Sequence, residues 1–245
     1  MKLFKSIAFV SAVSMILAGC EGPEPVELGP KQAWKNGDYL QKNQFVFTNE
    51  FRLKDGRGTS GGASFLVQST NGPVLCTAKH LLSEEFGISP KVATSDFNAQ
   101  IDFWKLFAKN DSLFGDTLFV SKMLSDDTYS ADIIVLKCKS TEGENLLPLK
   151  PRFSRVNIGE ELEIIGHEFG DTTGMQKSFI VELKEYDGGS LLVKSKSTFK
   201  PMGMSGSPVL DASGYVVGVL TGGNFFEGEL YLSVEPLSLV REFIP

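Results

Sequence analysis

An all-β protein, built as a sandwich or a pair of barrels, is what the sequence predicts, and three observations predict it. Apolar runs are short, no long helical period separates them, and Gly, Asn and Asp clusters punctuate them at the spacing of strand turns. With 245 residues, 42% hydrophobic and 22% charged, the chain can bury one two-lobed domain or two small ones. The formal charge is −6 and becomes more negative once a leader carrying Lys2 and Lys5 is removed, which argues against a nucleic-acid partner.

Residues 1–19 read as a secretory leader, with Lys2 and Lys5 at its charged start and Ile7 to Ala18 as an apolar run too short to span a bilayer. Leu17-Ala18-Gly19-Cys20 resembles a bacterial lipobox, in which Cys20 becomes the lipid-modified first residue of the mature chain. An ordinary small-residue cleavage site with an incidental cysteine is the competing reading. Inner-membrane retention goes with an aspartate after the cysteine, and Glu21 departs from that pattern; the expectation is an outer-membrane anchor facing the periplasm. Residues 20–43 then carry Pro23, Pro25, Gly29, Pro30 and several glutamates, and read as an extended tether of roughly 20 residues. A propeptide is the alternative there.

The folded part begins near residue 44. Ala63 to Ser69 and Pro73 to Ala78 flank Thr70-Asn71-Gly72, a strong hairpin signal. Phe103 to Val120, interrupted at Lys109-Asn110-Asp111 and Gly115-Asp116, reads as two more strands. Ser130 to Lys137 opens with Asp132 and continues as an apolar strand. Pro148 to Val156 reads as the crossing between two lobes, dividing the domain into residues 44–147 and 148–245. Beyond it, Glu161 to Gly166, Ser178 to Glu185, Leu191 to Ser197 and Val216 to Thr221 read as strands, and Leu237, Val240, Phe243 and Ile244 share one face of a closing C-terminal helix.

The chemistry centres on Gly203-Met204-Ser205-Gly206-Ser207-Pro208. A serine between glycines, entering an apolar strand, sits where the backbone turns sharply and leaves the hydroxyl exposed. The amides of Gly203 and Ser205 can then converge on one point, as stabilising a tetrahedral oxyanion requires. A serine hydroxyl also needs a base titrating near neutrality and a group to hold that base in one tautomer. The chain has two histidines. His80 follows the apolar run Val74 to Ala78, whereas His167, at the end of Glu161 to Gly166, reads as a surface or loop histidine. Asp126 and Asp127 compete with Asp132 for the orienting role but lie in a polar loop. The order His80, Asp132, Ser205 is one of the known chain orders for such a triad.

These three motifs, Thr77-Ala78-Lys79-His80, Asp132-Ile133-Ile134-Val135-Leu136-Lys137 and Gly203-Met204-Ser205-Gly206-Ser207-Pro208, resemble those of chymotrypsin-fold, trypsin-like serine peptidases of compact bacterial type. The resemblance spans roughly Phe45 to Ile244. It implies two six-stranded antiparallel β-barrels with a short C-terminal helix. It also implies Ser205 as nucleophile, His80 as general base and acid, Asp132 as orienting carboxylate, and Gly203 and Ser205 as the oxyanion hole. Leu220, Thr221, Gly222 and Gly223 fall on the strand that lines the substrate site in such enzymes. Glutamyl endopeptidases carry a histidine where this chain has Leu220, so acidic specificity is not expected. Digestive members carry an aspartate where this chain has Met204, so activation by a freed N-terminus is not expected either.

The resulting expectation is a lipid-anchored endopeptidase of the bacterial cell envelope, acting on polypeptides without metal or cofactor. A catalytically silent lipoprotein that uses the same fold to bind an envelope partner is the alternative. With Cys20 assigned to lipid, Cys76 and Cys138 could pair in an exported protein, but both lie in apolar strands, and buried, unpaired thiols are the expectation.

Overall fold

The computed structural model describes residues 28–110, 112–125, 130–139 and 146–245. The leader, Cys20, and the competing Asp126 and Asp127 lie outside the described residues. Strands β1 (Phe47–Leu53), β2 (Gly58–Val67), β3 (Val74–Ala78), β4 (Ile101–Phe107), β5 (Thr117–Met123) and β6 (Ile133–Cys138) close into a barrel in the order β1-β2-β3-β6-β5-β4. Strands β7 (Glu161–Gly166), β8 (Lys177–Asp187), β9 (Ser190–Ser195), β10 (Pro208–Leu210), β11 (Val216–Phe226) and β12 (Glu229–Pro236) close into a second, ordered β7-β8-β9-β12-β11-β10. The two orders are the same, although no repeat is visible in the residues themselves. Closure pairs each strand with two neighbours, although the three-residue β10 reaches only as far as Val219 and leaves the outer half of β11 paired with β12 alone.

Side-chain alternation explains how the lobes join. In β3 and β6, Leu75, Ile134 and Leu136 point into the first barrel. Cys76, Ile133 and Val135 point outward, into a cluster shared with Leu210, Val216 and Val219 of the second. Both faces are therefore buried along β3 and along β6 as far as Leu136, and these stretches read as nearly continuous apolar runs instead of alternating ones. The second barrel has its own core of Leu162, Val181, Val193, Val209 and Leu232. Cys76 and Cys138 are free and buried in different clusters, and burial pushes the Cys138 thiol up to about 12.

The crossing segment laces the lobes together through its backbone. Leu149 donates to Leu66 O at 2.8 Å in the first barrel, and Arg152 donates to Val216 O at 2.8 Å in the second. The chain closes with a 3-10 helix, Leu237–Phe243, kinked at Val240; Leu237, Val240 and Ile244 fill the space between the barrels. The expected helix is thus a 3-10 helix and not an α-helix.

Two short helices carried too little signal to be foreseen. α1 (Tyr39–Lys42) has four residues, and α2 (Thr94–Gln100) has seven with one deep apolar anchor, Phe97, so neither shows a helical period. α1 belongs to a segment expected as extended tether, yet residues 32–46 lie along the second barrel. Gln32 donates to Ser213 O at 2.8 Å, and Lys35 Nζ pairs with Glu163 at 2.8 Å. The Tyr39 hydroxyl donates to the same carboxylate. Trp34 packs edge-on to Tyr39, with ring centroids 5.5 Å apart, and against Phe45 at 5.0 Å.

Candidate active site

The register of the first barrel builds half of the site. Ala78 pairs with Ile133 at the end of β3 and the beginning of β6, so the residues just beyond, His80 and Asp132, emerge side by side. Lys79 N donates to Asp132 O at 3.2 Å, fixing the two turns against each other. One carboxylate oxygen of Asp132 accepts from the backbone amide of His80 at 2.7 Å, and the other meets His80 Nδ1 at 2.5 Å. This double contact orients the imidazole, assigns its proton to Nδ1, and leaves Nε2 as the atom facing away from the carboxylate. The Phe86 ring lies 5.2 Å from that of His80.

The second half comes from the loop before β10, clamped by both barrels. Ala63 of β2 donates to Ser205 O at 2.6 Å, while Gly206 donates to Leu220 O of β11 at 2.7 Å. Gly206 adopts φ +93°, and a Cβ there would fall 1.9 Å from Ala63 O, so only glycine permits the approach. Gly203 at φ +79° likewise uses the left-handed region. The amides of Met204 and Ser207 are spent inside the loop, on Pro201 O and Met204 O. Those of Gly203 and Ser205 take no acceptor among the described residues and remain available to a ligand.

Met204 is fully buried in the core of the second barrel. Its methyl sits where a Cβ on Gly166 would lie 2.4 Å away, so the glycine at the end of β7 makes room for it. The loop is therefore held by apolar burial at the position where a charged anchor would need a partner.

Ser205 shares a cavity of about 620 Å³ with Phe86, which itself packs on the His80 ring. Leu220, Gly222, Gly223 and Gly203 line the same cavity. Thr221 does not: a β-bulge between Leu220 and Gly222 turns it aside, and its hydroxyl donates to Ser233 O at 3.3 Å. No hydrogen bond joins the Ser205 hydroxyl to the imidazole here; such bonds are often long before substrate binds.

His167, expected at the surface, is buried between the barrels. Neither ring nitrogen makes a hydrogen bond of good geometry, and the backbone of Met175 and of Val46 beside the ring only partly compensates. Burial, reinforced by the charge of Lys109, lowers its pKa from 6.5 to about 4. The unfolded chain protonates this imidazole near pH 6.5 and the folded chain only near 4. The associated stability is therefore present above 6.5 and lost as pH falls towards 4, by about 3 kcal/mol in all. Urea melts at pH 7 and pH 4.5 should show a smaller acid-induced loss in His167→Leu than in the wild type; an identical loss in both would refute this assignment.

Comparison with known proteins agrees with this architecture. The family model for a trypsin-like peptidase domain matches residues 61–219, from within β2 to the first part of β11. Among solved structures, a thermostable serine protease, AL20, from an extremophilic microorganism aligns with a TM-score of 0.56. It covers 81% of this chain and 94% of its own, at 12% identity, a likeness that shows the fold alone. No curated protein sequence matches the chain.

Proposed function

Because the chain belongs to the trypsin-like peptidase family, we propose that it is a serine endopeptidase that cuts peptide bonds through an acyl-enzyme, with Ser205, His80 and Asp132 as its triad. The observation that carries this reading is the Asp132 carboxylate gripping both the backbone amide and Nδ1 of His80, beside a serine loop whose Gly203 and Ser205 line the cavity with amides not bonded to other described residues.

In the first half-reaction, Ser205 Oγ adds to the scissile carbonyl carbon while His80 Nε2 takes the hydroxyl proton. Asp132 supports the imidazolium that results. Negative charge moves onto the carbonyl oxygen, where the Gly203 and Ser205 amides receive it without reorganising. Collapse of this adduct breaks the C–N bond, and the proton on Nε2 passes to the departing amine. Water then repeats the sequence: Nε2 takes its proton, the hydroxide adds to the ester, and Ser205 regains its hydrogen. Incubation with an unfolded protein, followed by mass spectrometry of the products, should give internal cuts in the wild type and none with Ser205→Ala. Binding without cutting would instead favour the silent-lipoprotein reading.

The anchor is proposed from sequence alone, with Cys20 as the lipidated residue. Contact with the second barrel begins as early as Gly29, where a Cβ would fall 2.9 Å from the Tyr215 ring, nine positions after Cys20. Two or more acyl chains, at about 0.8 kcal/mol per buried methylene, would hold the domain stably and confine it to envelope polypeptides near the membrane. Cys20→Ser should abolish labelling by a palmitate analogue and membrane fractionation while leaving the folded domain intact. A wild-type protein that is unlabelled and soluble would refute the anchor.

A further inference from the structure

The cavity beside Ser205 carries chemistry beyond the triad. Nine large apolar side chains are exposed among the described residues, and three of them, Phe169 at 54%, Met202 at 66% and Phe225 at 50%, gather at this one mouth. Phe86 and Leu220 add further apolar wall. Exposed aromatic and thioether groups converging on a concave site are a binding surface, since isolated ones would scatter. They arrive from three separate segments: the turn after β7, the serine loop, and the outer half of β11. The first two are joined by Phe169 N donating to Lys200 O at 3.4 Å.

Charge narrows the choice of occupant. Lys200, exposed to solvent, is the one charged residue lining the cavity, and no carboxylate lines it. A lysine or arginine side chain entering here would lose its hydration against apolar walls, find no carboxylate among the lining residues, and meet the solvent-screened like charge of Lys200. At Gly222 the wall is bare, because a Cβ added there would meet no atom within 4 Å. The space that a side chain on Gly222 would fill is thus left to the ligand.

From these observations we infer that the cavity selects a bulky apolar side chain of an extended polypeptide, of the size of Phe, Tyr, Leu or Met, and that Lys200 excludes lysine and arginine from it. The inference rests on the endopeptidase reading and names the substrate class of that same site.

A mixture of peptides of random sequence, digested with the full-length protein and sequenced by mass spectrometry, tests it. Cleavage next to bulky apolar residues should exceed cleavage next to alanine by about tenfold or more, as expected of a hydrophobic pocket. Cleavage next to Lys or Arg should be lower still. Lys200→Glu should raise the basic-to-apolar ratio at least about tenfold by replacing repulsion with attraction. Gly222→Val, which has room for its side chain, should shift preference from Phe and Tyr towards Ala. A wild-type preference for Lys or Arg, for Asp or Glu paired with Lys200, or for no side chain at all would overturn the inference while leaving the endopeptidase reading intact. Peptides left uncut by a protein whose Ser205 reacts with a fluorophosphonate would also overturn it, and absence of both cutting and labelling would defeat the two readings together.

Discussion

Ser205→Ala and His80→Ala should each lower kcat by several orders of magnitude, on the order of 10⁴-fold or more, and the double variant should lose little beyond either one. The reason is that nucleophile and base act as a unit: without Nε2 the hydroxyl keeps its proton, and without the hydroxyl the base has nothing to activate. Asp132→Asn should also cost about 10⁴-fold, because an amide at the 2.5 Å contact with Nδ1 favours the wrong tautomer. The backbone contact from His80 N to Asp132 Oδ1 survives in that variant, so the fold should persist while turnover falls. Steady-state rates on one peptide ester, with melting temperatures alongside, separate the two effects. Multiplicative losses in the double variant would mean that the residues do not work together.

Arg152→Met should destabilise the fold by about 3–5 kcal/mol, the cost typical of removing one partner from a buried ion cluster. The Arg152 guanidinium bridges Glu160 at 2.5 Å and Asp211 at 3.2 Å, and Asp211 is fully buried. Its other oxygen is already committed to the amides of Ser213 and Tyr215, at 2.9 and 3.0 Å, which shape the turn between β10 and β11. Removing the arginine strands a buried carboxylate in the turn that supports the serine loop. Adding Asp211→Asn should recover part of the loss, since a neutral amide costs less to bury than an unpaired charge. Urea denaturation measures both, and a loss below about 1 kcal/mol for Arg152→Met would show the cluster to be inert.

The parts legible in the sequence were those with local causes. Asn71-Gly72 marked the β2–β3 hairpin because its turn geometry is carried by those two residues. His80 was read at the end of one apolar run and Asp132 at the start of another, both local signals, and it is the β3–β6 register that brings these two strand ends together. What was not legible depended on distant partners. His167 looked like a loop residue, and only the packing of the two lobes buries it. The segment around Trp34 and Tyr39 looked like a linker because its anchors, Glu163 and Ser213, lie more than a hundred residues away. Thr221 was grouped with its neighbours on the substrate strand, but the bulge that turns it aside comes from pairing with β12. Met204 was read as a missing charge; its burial over Gly166 shows what stands in that place.

An activated Ser205 hydroxyl should reveal itself by covalent labelling. A fluorophosphonate probe applied to the folded wild-type protein, with the adduct mapped by mass spectrometry, should modify Ser205 and no other serine, and His80→Ala should suppress the labelling. A folded protein that remains unlabelled, or one labelled elsewhere, would show that Ser205 is not the nucleophile.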